Sequence, residues 1–240
     1  MKILITSGGT KIKIDLVRSI TNMSRGTFGS RICDEFWLNL DANKKDEIVF
    51  FYAKDSKLPV KEDIAHTYHD VSSSIIRYVE YDTFDSYHEK LTDLLKKEKF
   101  DIIVLAAAVS DYGVKEVFNG KYRSREDEMT IQLVKLPKVI TEVRMLAPDS
   151  IICGFKLLVN STDDELMEAI QKQFDENGID LCVGNDLRDI KNDNHRLTIV
   201  YNKKYGDAQK FVYTKNESDI SLSKAVYNHC IDVYNKKNHN

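Results

Sequence analysis

The sequence predicts an α/β domain with a central, mostly parallel sheet. Three observations carry that expectation. Short apolar runs such as Ile3-Leu4-Ile5 recur between longer segments whose apolar positions fall three or four apart. The two patterns alternate through the first half of the chain, as parallel strands joined by crossover helices require. The opening run ends at once in Ser7-Gly8-Gly9-Thr10, turn chemistry at the place where an α/β sheet holds a ligand loop.

After that strand, a polar connection leads to Ser24, a candidate N-cap for a helix carrying Phe28, Ile32, Phe36 and Leu40 on one face. Cys33 and Trp37 flank that face. A polar loop over 41–46 precedes a second strand over 48–52. Residues 54–73 read as a polar surface excursion, with His66 and His69 as surface side chains. A third strand over 75–79 leads to a helix over 83–99, with Phe84, Tyr87, Leu91, Leu94 and Leu95 inward. Lysines in its last turn suit the helix dipole. Residues 101–106 are another buried strand.

Residues 112–134 break the rhythm. Two extended pieces, 112–118 and 129–134, flank a polar loop over 119–128 and predict an arm leaving the main sheet. Pro137 starts a helix with Val139, Ile140 and Val143 inward. A strand over 151–158 follows. The next helix, begun by Ser161 or Thr162, carries Leu166, Ile170 and Phe174 and stops near Gly178. A short strand over 181–183 ends at Asn185-Asp186. Strands over 196–201 and 209–213 pair through Gly206-Asp207. A last helix begins near Ser221, with Leu222, Ala225, Val226 and Val233 inward. Residues 1–240 read as one domain with an arm at 112–134.

Composition narrows the function. A chain of 240 residues can bury a sizeable core, and 42% hydrophobic with 30% charged residues excludes a disordered chain. A net charge of −3 gives no general attraction for nucleic acid or an anionic membrane, so any anion must meet a local site. No apolar run approaches the roughly 20 residues that span a bilayer. Met1-Lys2 runs straight into a strand pattern, leaving no room for a signal peptide. Cys33, Cys153, Cys182 and Cys230 form no paired motif and predict buried, reduced thiols. The expectation is a soluble protein of a reducing cytoplasm.

Three constellations carry chemistry. Gly8-Gly9-Thr10 is either a tight turn or a phosphate cradle. It lacks the three-glycine spacing of a dinucleotide fingerprint, which disfavours NAD or FAD. The stretch from Val17 to Gly26 gathers Arg18, Asn22, Ser24 and Arg25 before a helix start. Asn22 can donate to a carbonyl or oxyanion, and the arginines can neutralise phosphate or remain solvated. Ala106-Ala107-Ala108, at the end of a central strand, leaves space for a ligand or packs against a helix. Asp111 beyond it suits a ribose hydroxyl, a base amine, a hydrated metal ion or a cap. Lys121 follows in a loop that can swing over phosphates.

Together these motifs resemble phosphopantothenate–cysteine ligase, the coenzyme A pathway family that joins phosphopantothenate to cysteine. ITSGGT resembles that family's first glycine turn, and DLVRSITNMSRGTFG its arginine–asparagine loop and helix start. AAAVSDY is similar to its central strand end, with the family lysine at Lys121. MTIQLVKLPKVI, CGFKL and the GND at Asn185 are similar to its later motifs. The order is also that of the family.

The resemblance implies a Rossmann-like three-layer fold with an arm used for homodimerisation. It implies activation of the 4′-phosphopantothenate carboxylate by a nucleoside triphosphate with Mg²⁺, through an acyl-nucleotide that L-cysteine then attacks. Asn22, Lys121 and Arg18 take the catalytic roles. Gly8, Gly9, Thr10, Ala106, Ala107, Ala108, Asp111, Lys121, Phe155 and Lys156 face the nucleotide. Asn22, Ser24, Arg25 and Gly26 face the acid substrate, and the Mg²⁺ ligands stay unassigned. Lys121-Tyr122-Arg123-Ser124 departs from the usual lysine-rich run, and Gln173 and Asn177 stand where relatives carry basic residues, with Lys172 nearby. With no flavin decarboxylase domain ahead of it, the chain resembles a stand-alone bacterial form, which points to CTP, with ATP open. Two other readings are an NAD(P)-dependent reductase of the short-chain type and a nucleotide-sensing module without turnover. The reductase lacks its Tyr-x-x-x-Lys pair.

Overall fold

The computed structural model describes residues 1–40, 46–59, 75–123, 128–191, 194–206 and 209–238. His66 and His69 lie outside them. One eight-stranded sheet forms the centre. Its parallel part comprises β1 (Lys2–Ser7), β4 (Glu47–Ala53), β5 (Ile75–Tyr81), β6 (Ile102–Leu105), β9 (Ile151–Leu158) and β10 (Leu181–Asp186). Two antiparallel strands, β11 (Arg196–Tyr201) and β12 (Lys210–Thr214), extend one edge, giving the order β12-β11-β10-β9-β6-β1-β4-β5.

Both faces of the strands are apolar because both are covered. On β1, Leu4 enters one core cluster while Ile3 and Ile5 enter the other. On β4, Val49 and Phe51 face one way, and Ile48 and Phe50 the other. The first layer is α2 (Phe84–Lys97), α3 (Val139–Leu146) and α4 (Asp163–Asn177), which bring Leu91, Val143, Ile170 and Phe174. The second is α1 (Thr27–Leu38) and α6 (Leu222–Asn238), which bring Ile32, Phe36, Val226 and Val233. A short α5 (Leu187–Lys191) follows β10. All four cysteines are buried and free. Among the described residues, no helix is long and apolar enough to cross a membrane.

Helix starts follow local chemistry where the sequence supplies it. Thr162 and Glu165 make a reciprocal capping box for α4, and Gly178 ends it in the left-handed region at φ 60°. Two expected starts move. Gly26, at φ 72°, caps α1 in place of Ser24, whose hydroxyl lies 3.5 Å from the Gly26 N–H. Lys138 caps α3, so Pro137 precedes the helix instead of opening it.

Two small antiparallel ribbons stand off the sheet. One pairs β7 (Tyr112–Val114) with β8 (Leu133–Lys135), the core of the expected arm but shorter than its predicted pieces. The other pairs β2 (Lys11–Lys13) with β3 (Ser19–Thr21), within what reads in sequence as a polar connection. The ribbons are joined. Phe118 N–H donates to Ile14 O (3.0 Å), Leu16 N–H to Gly120 O (3.0 Å), and Tyr122 N–H to the Asp15 carboxylate (3.1 Å).

Candidate active site

The chain passes from β4 and β5 on one side of β1 to β6 on the other, so the sheet has a topological switch point between β1 and β6. Open α/β sheets bind ligands beside such points, beyond the carboxyl ends of the strands. A cavity of about 900 Å³ lies there. Its walls come from the loop before α1, from the end of β6 and its sequel, from the start of α3, and from β9, β10 and His195. Sites for one drug-sized ligand span roughly 300–1,000 Å³, so this volume is at the upper end.

The loop wall presents Asn22, Ser24, Arg25 and Gly26. Asn22 Nδ2 donates to Ala108 O at 2.8 Å, which uses one of its two amide hydrogens and leaves the other for a ligand. Behind Gly26, α1 begins with no side-chain cap, so its first backbone N–H groups remain free for an anion. Ala106-Ala107-Ala108, Asp111, Phe155 and Lys156 also line the cavity.

Charge is unequally distributed. Arg25, Arg31, Lys138 and Lys156 line the cavity against a single carboxylate, Asp111. Lys138 lies 3.7 Å from that carboxylate. Among the described residues, Arg25, Arg31 and Lys156 have no carboxylate partner. Three unpaired cations beside an uncapped helix start make a site for a multiply charged anion.

Five predicted residues lie outside the cavity lining. Gly8, Gly9 and Thr10 do not line the cavity; they tie β1 to the segment after β6. Ala108 N–H donates to Gly8 O (2.8 Å), Thr10 N–H to Ala108 O (3.2 Å), and Ser110 N–H to Thr10 Oγ1 (3.0 Å). Gly8 sits at φ +89°, and a Cβ on it would meet Ala53 Cβ at 2.6 Å, so the close approach of β1's turn to β4 requires glycine there. Arg18 is committed to the turn between β2 and β3, where Nη1 donates to Asp15 at 2.8 Å. Burial opposes ionisation of Asp15, but the N–H groups of Val17, Tyr122 and Arg18 hold its carboxyl below the usual range. Lys121 is exposed on the docked segment of the arm and is outside the cavity lining of its own chain.

The structure adds residues that sequence reasoning missed. Arg31 and Phe28 project from α1 into the cavity, Lys138 enters from the α3 cap, and His195 enters just before β11. Phe28 packs against the core cluster of α1, as its helical spacing predicts, and also lines the cavity. Gln173 also lines the cavity, and its Oε1 accepts from Nδ2 of buried Asn177 (3.0 Å). Lys172 turns away toward Glu176, 3.7 Å distant. Asp186, next to Asn185, clasps the chain. The N–H of Ser161, with those of Arg188 and Asn160, brings its pKa down to about 2. Among the described residues, no three His, Cys, Asp or Glu side chains cluster as a metal site.

The sequence profile of the DNA/pantothenate metabolism flavoprotein C-terminal domain matches residues 1–42 and 67–228. The chain belongs to this family. The coenzyme A biosynthesis bifunctional protein CoaBC of Thermococcus kodakarensis is 31% identical over 83% of this chain and 44% of its own length. The chain thus spans less than half of that relative. The solved DNA/pantothenate metabolism flavoprotein from Streptococcus pneumoniae is 25% identical, covers 97% of both chains and superposes with a TM-score of 0.74. A mutant of Cab2, solved in complex with phosphopantothenate-cysteine, shares the fold at 20% identity, with a TM-score of 0.77 over 99% of this chain and 87% of that one.

Proposed function

We propose that this family member is a phosphopantothenate–cysteine ligase that consumes a nucleoside triphosphate, with CTP the expected one. The observation that carries the reading is that Arg25, Arg31 and Lys156, which have no carboxylate partner among the described residues, line one cavity with the uncapped start of α1. The CoaBC relatives and the Cab2 complex supply the substrate class.

A carboxylate resists attack by an amine because its charge is delocalised and oxide is a poor leaving group. The phosphopantothenate carboxylate oxygen therefore attacks the α-phosphorus, an O–P bond forms, and pyrophosphate leaves. Arg25, Lys156 and Lys138 offset charge on the phosphates, and Ala106-Ala107-Ala108 leaves room for the nucleoside. Asp111 is the carboxylate that fits Mg²⁺, which is usually held by one or two carboxylates plus substrate phosphates. In the second step the amine adds to the acyl carbon, and the free Asn22 Nδ2 hydrogen donates to the developing oxyanion. Nucleoside monophosphate then leaves.

Lys121 enters this scheme from a second copy of the chain. Its segment is held to the β2–β3 ribbon by three hydrogen bonds, which oppose a swing over its own cavity. Leu16, Val17, Phe118, Met129 and Leu133 are exposed on these ribbons, an apolar surface suited to a homodimer. The test is mass-spectrometric detection of phosphopantothenoylcysteine. It is expected only with phosphopantothenate, cysteine and a nucleoside triphosphate together.

A further inference from the structure

One corner of the cavity has no part yet in the two steps above, although its arginine belongs to the cation cluster. Phe28 and Arg31 reach it from α1, Phe155 from β9, Asn185 from β10, and His195 from the turn before β11. The Phe28 ring meets Phe155 edge-on at 6.0 Å and lies 5.6 Å from the His195 ring. These contacts hold the imidazole at the wall. Asn185 Nδ2 approaches His195 Nε2 at 3.4 Å. An amide nitrogen only donates, so Nε2 presents a lone pair and Nδ1 carries the proton. The contact is long enough for a ligand N–H to replace it.

Charges around His195 favour a neutral ring. Burial lowers its pKa, Lys215 after β12 and Arg31 on α1 add to the effect, and Asp189 on α5 opposes it. A neutral ring can accept a proton. Arg31, in turn, is exposed and has no carboxylate partner among the described residues. Thr27 and Arg31 stand one helical turn apart on α1, and both line the cavity.

An α-amino acid presents the complementary groups, a carboxylate for a guanidinium and an amine that must shed protons to attack. Resting on the ligase reading above, we propose that this corner is the acceptor subsite. Arg31 pairs with the carboxylate of the incoming amino acid, and His195 Nε2 takes the proton released as its amine bonds to the acyl carbon. The amino acid's ammonium first gives one proton to water. The N–C bond then forms, a second proton passes to His195, and the acyl C–O bond breaks with its electron pair leaving on the nucleoside monophosphate.

Cysteamine, which is cysteine without the carboxylate, separates the two roles. The ratio of kcat/KM for L-cysteine over cysteamine cancels every step the two acceptors share. In Arg31→Ala this ratio is expected to fall by about 10-fold or more, as for loss of a charged hydrogen bond, with partial recovery in Arg31→Lys. For His195→Gln, cysteine is added to enzyme preloaded with phosphopantothenate and CTP, and amide formation is followed against pH. The acidic limb of the wild-type profile is expected to hold two ionisations, the acceptor amine and the imidazole, and that of the variant only the amine's, because glutamine cannot titrate. An unchanged ratio in Arg31→Ala, or a rise in KM for phosphopantothenate instead, overturns the carboxylate role. An unchanged pH profile in His195→Gln overturns the proton role. Absence of any pyrophosphate from the wild-type enzyme with phosphopantothenate and CTP strikes the ligase reading itself, and this proposal falls with it.

Discussion

Asn22 donates through Nδ2 to the carbonyl oxygen of Ala108 at 2.8 Å, joining the loop before α1 to the end of β6. The bond uses one amide hydrogen and leaves the second for a ligand in the cavity that Asn22 lines. Asn22→Ala is expected to slow amide formation on the order of 10²-fold, as for loss of one oxyanion donor, with a smaller effect on nucleotide affinity. Rapid-quench measurement of the cysteine-dependent step checks this. A rate equal to wild type removes Asn22 from the mechanism.

The segment that carries Lys121 is held to the β2–β3 ribbon, and the proposed homodimer would place that lysine in the neighbouring subunit's site. Asn22→Ala and Lys121→Ala homodimers should each be nearly inactive, and co-expressed subunits should recover activity. In random mixing half the dimers are mixed, and each has one site with both residues intact, so about a quarter of sites recover. If Lys121 serves its own chain, mixing recovers nothing.

Gly29 in α1 gives a sharp test of packing. A Cβ there would lie 2.5 Å from Ser7 Oγ and 2.8 Å from Ser7 Cβ. Alanine inside a helix normally gains about 1 kcal/mol over glycine. Here overpacking reverses the sign, and Gly29→Ala should destabilise by ~1–3 kcal/mol, seen as a lower urea midpoint. A higher midpoint would mean that α1 does not press on β1 as described.

His229 on α6 makes stability fall in mild acid. Tyr213 donates to its Nε2 at 2.8 Å, and Tyr201 donates to Asp232 at 2.9 Å, so Nδ1 carries the ring proton toward the Tyr201 oxygen. Burial lowers its pKa to about 4, against the opposing charge of Asp232. The folded pKa is below the unfolded one, so the unfolded chain binds more protons between them. Stability is full above about pH 6.5 and should drop by about 2 kcal/mol between pH 7 and 5. In His229→Gln the dependence of the urea midpoint on pH should flatten over that range. An equal slope in wild type and variant contradicts the assignment.

The sheet and the longer helices were legible because their patterns are local and repeated. Thr162 with Glu165, and Gly178, announce both ends of α4 in the sequence itself. The β2–β3 ribbon was not, because each strand has three residues and β3 is wholly exposed. At Ser24 the usual capping residue type misled, since the chain turns through a left-handed Gly26 instead. Gly8-Gly9-Thr10 shows that a glycine after a strand marks a close approach without saying to what; here it is Ala53 and Ser56. Arg18 carried a local clue in Asp15, three residues earlier, its ion-pair partner. Arg31 and His195 carried none, because only the tertiary approach of the start of α1 to Phe155 and His195 brings them to one cavity.

The most direct measurement is pyrophosphate release from the enzyme with phosphopantothenate and each of the four nucleoside triphosphates in turn, with and without cysteine. Phosphopantothenate and CTP should give a burst of about one pyrophosphate per site without cysteine, and continued turnover once cysteine is added. No pyrophosphate with any nucleotide, or release of inorganic phosphate and a nucleoside diphosphate in its place, would contradict an acyl-nucleotide built in this cavity.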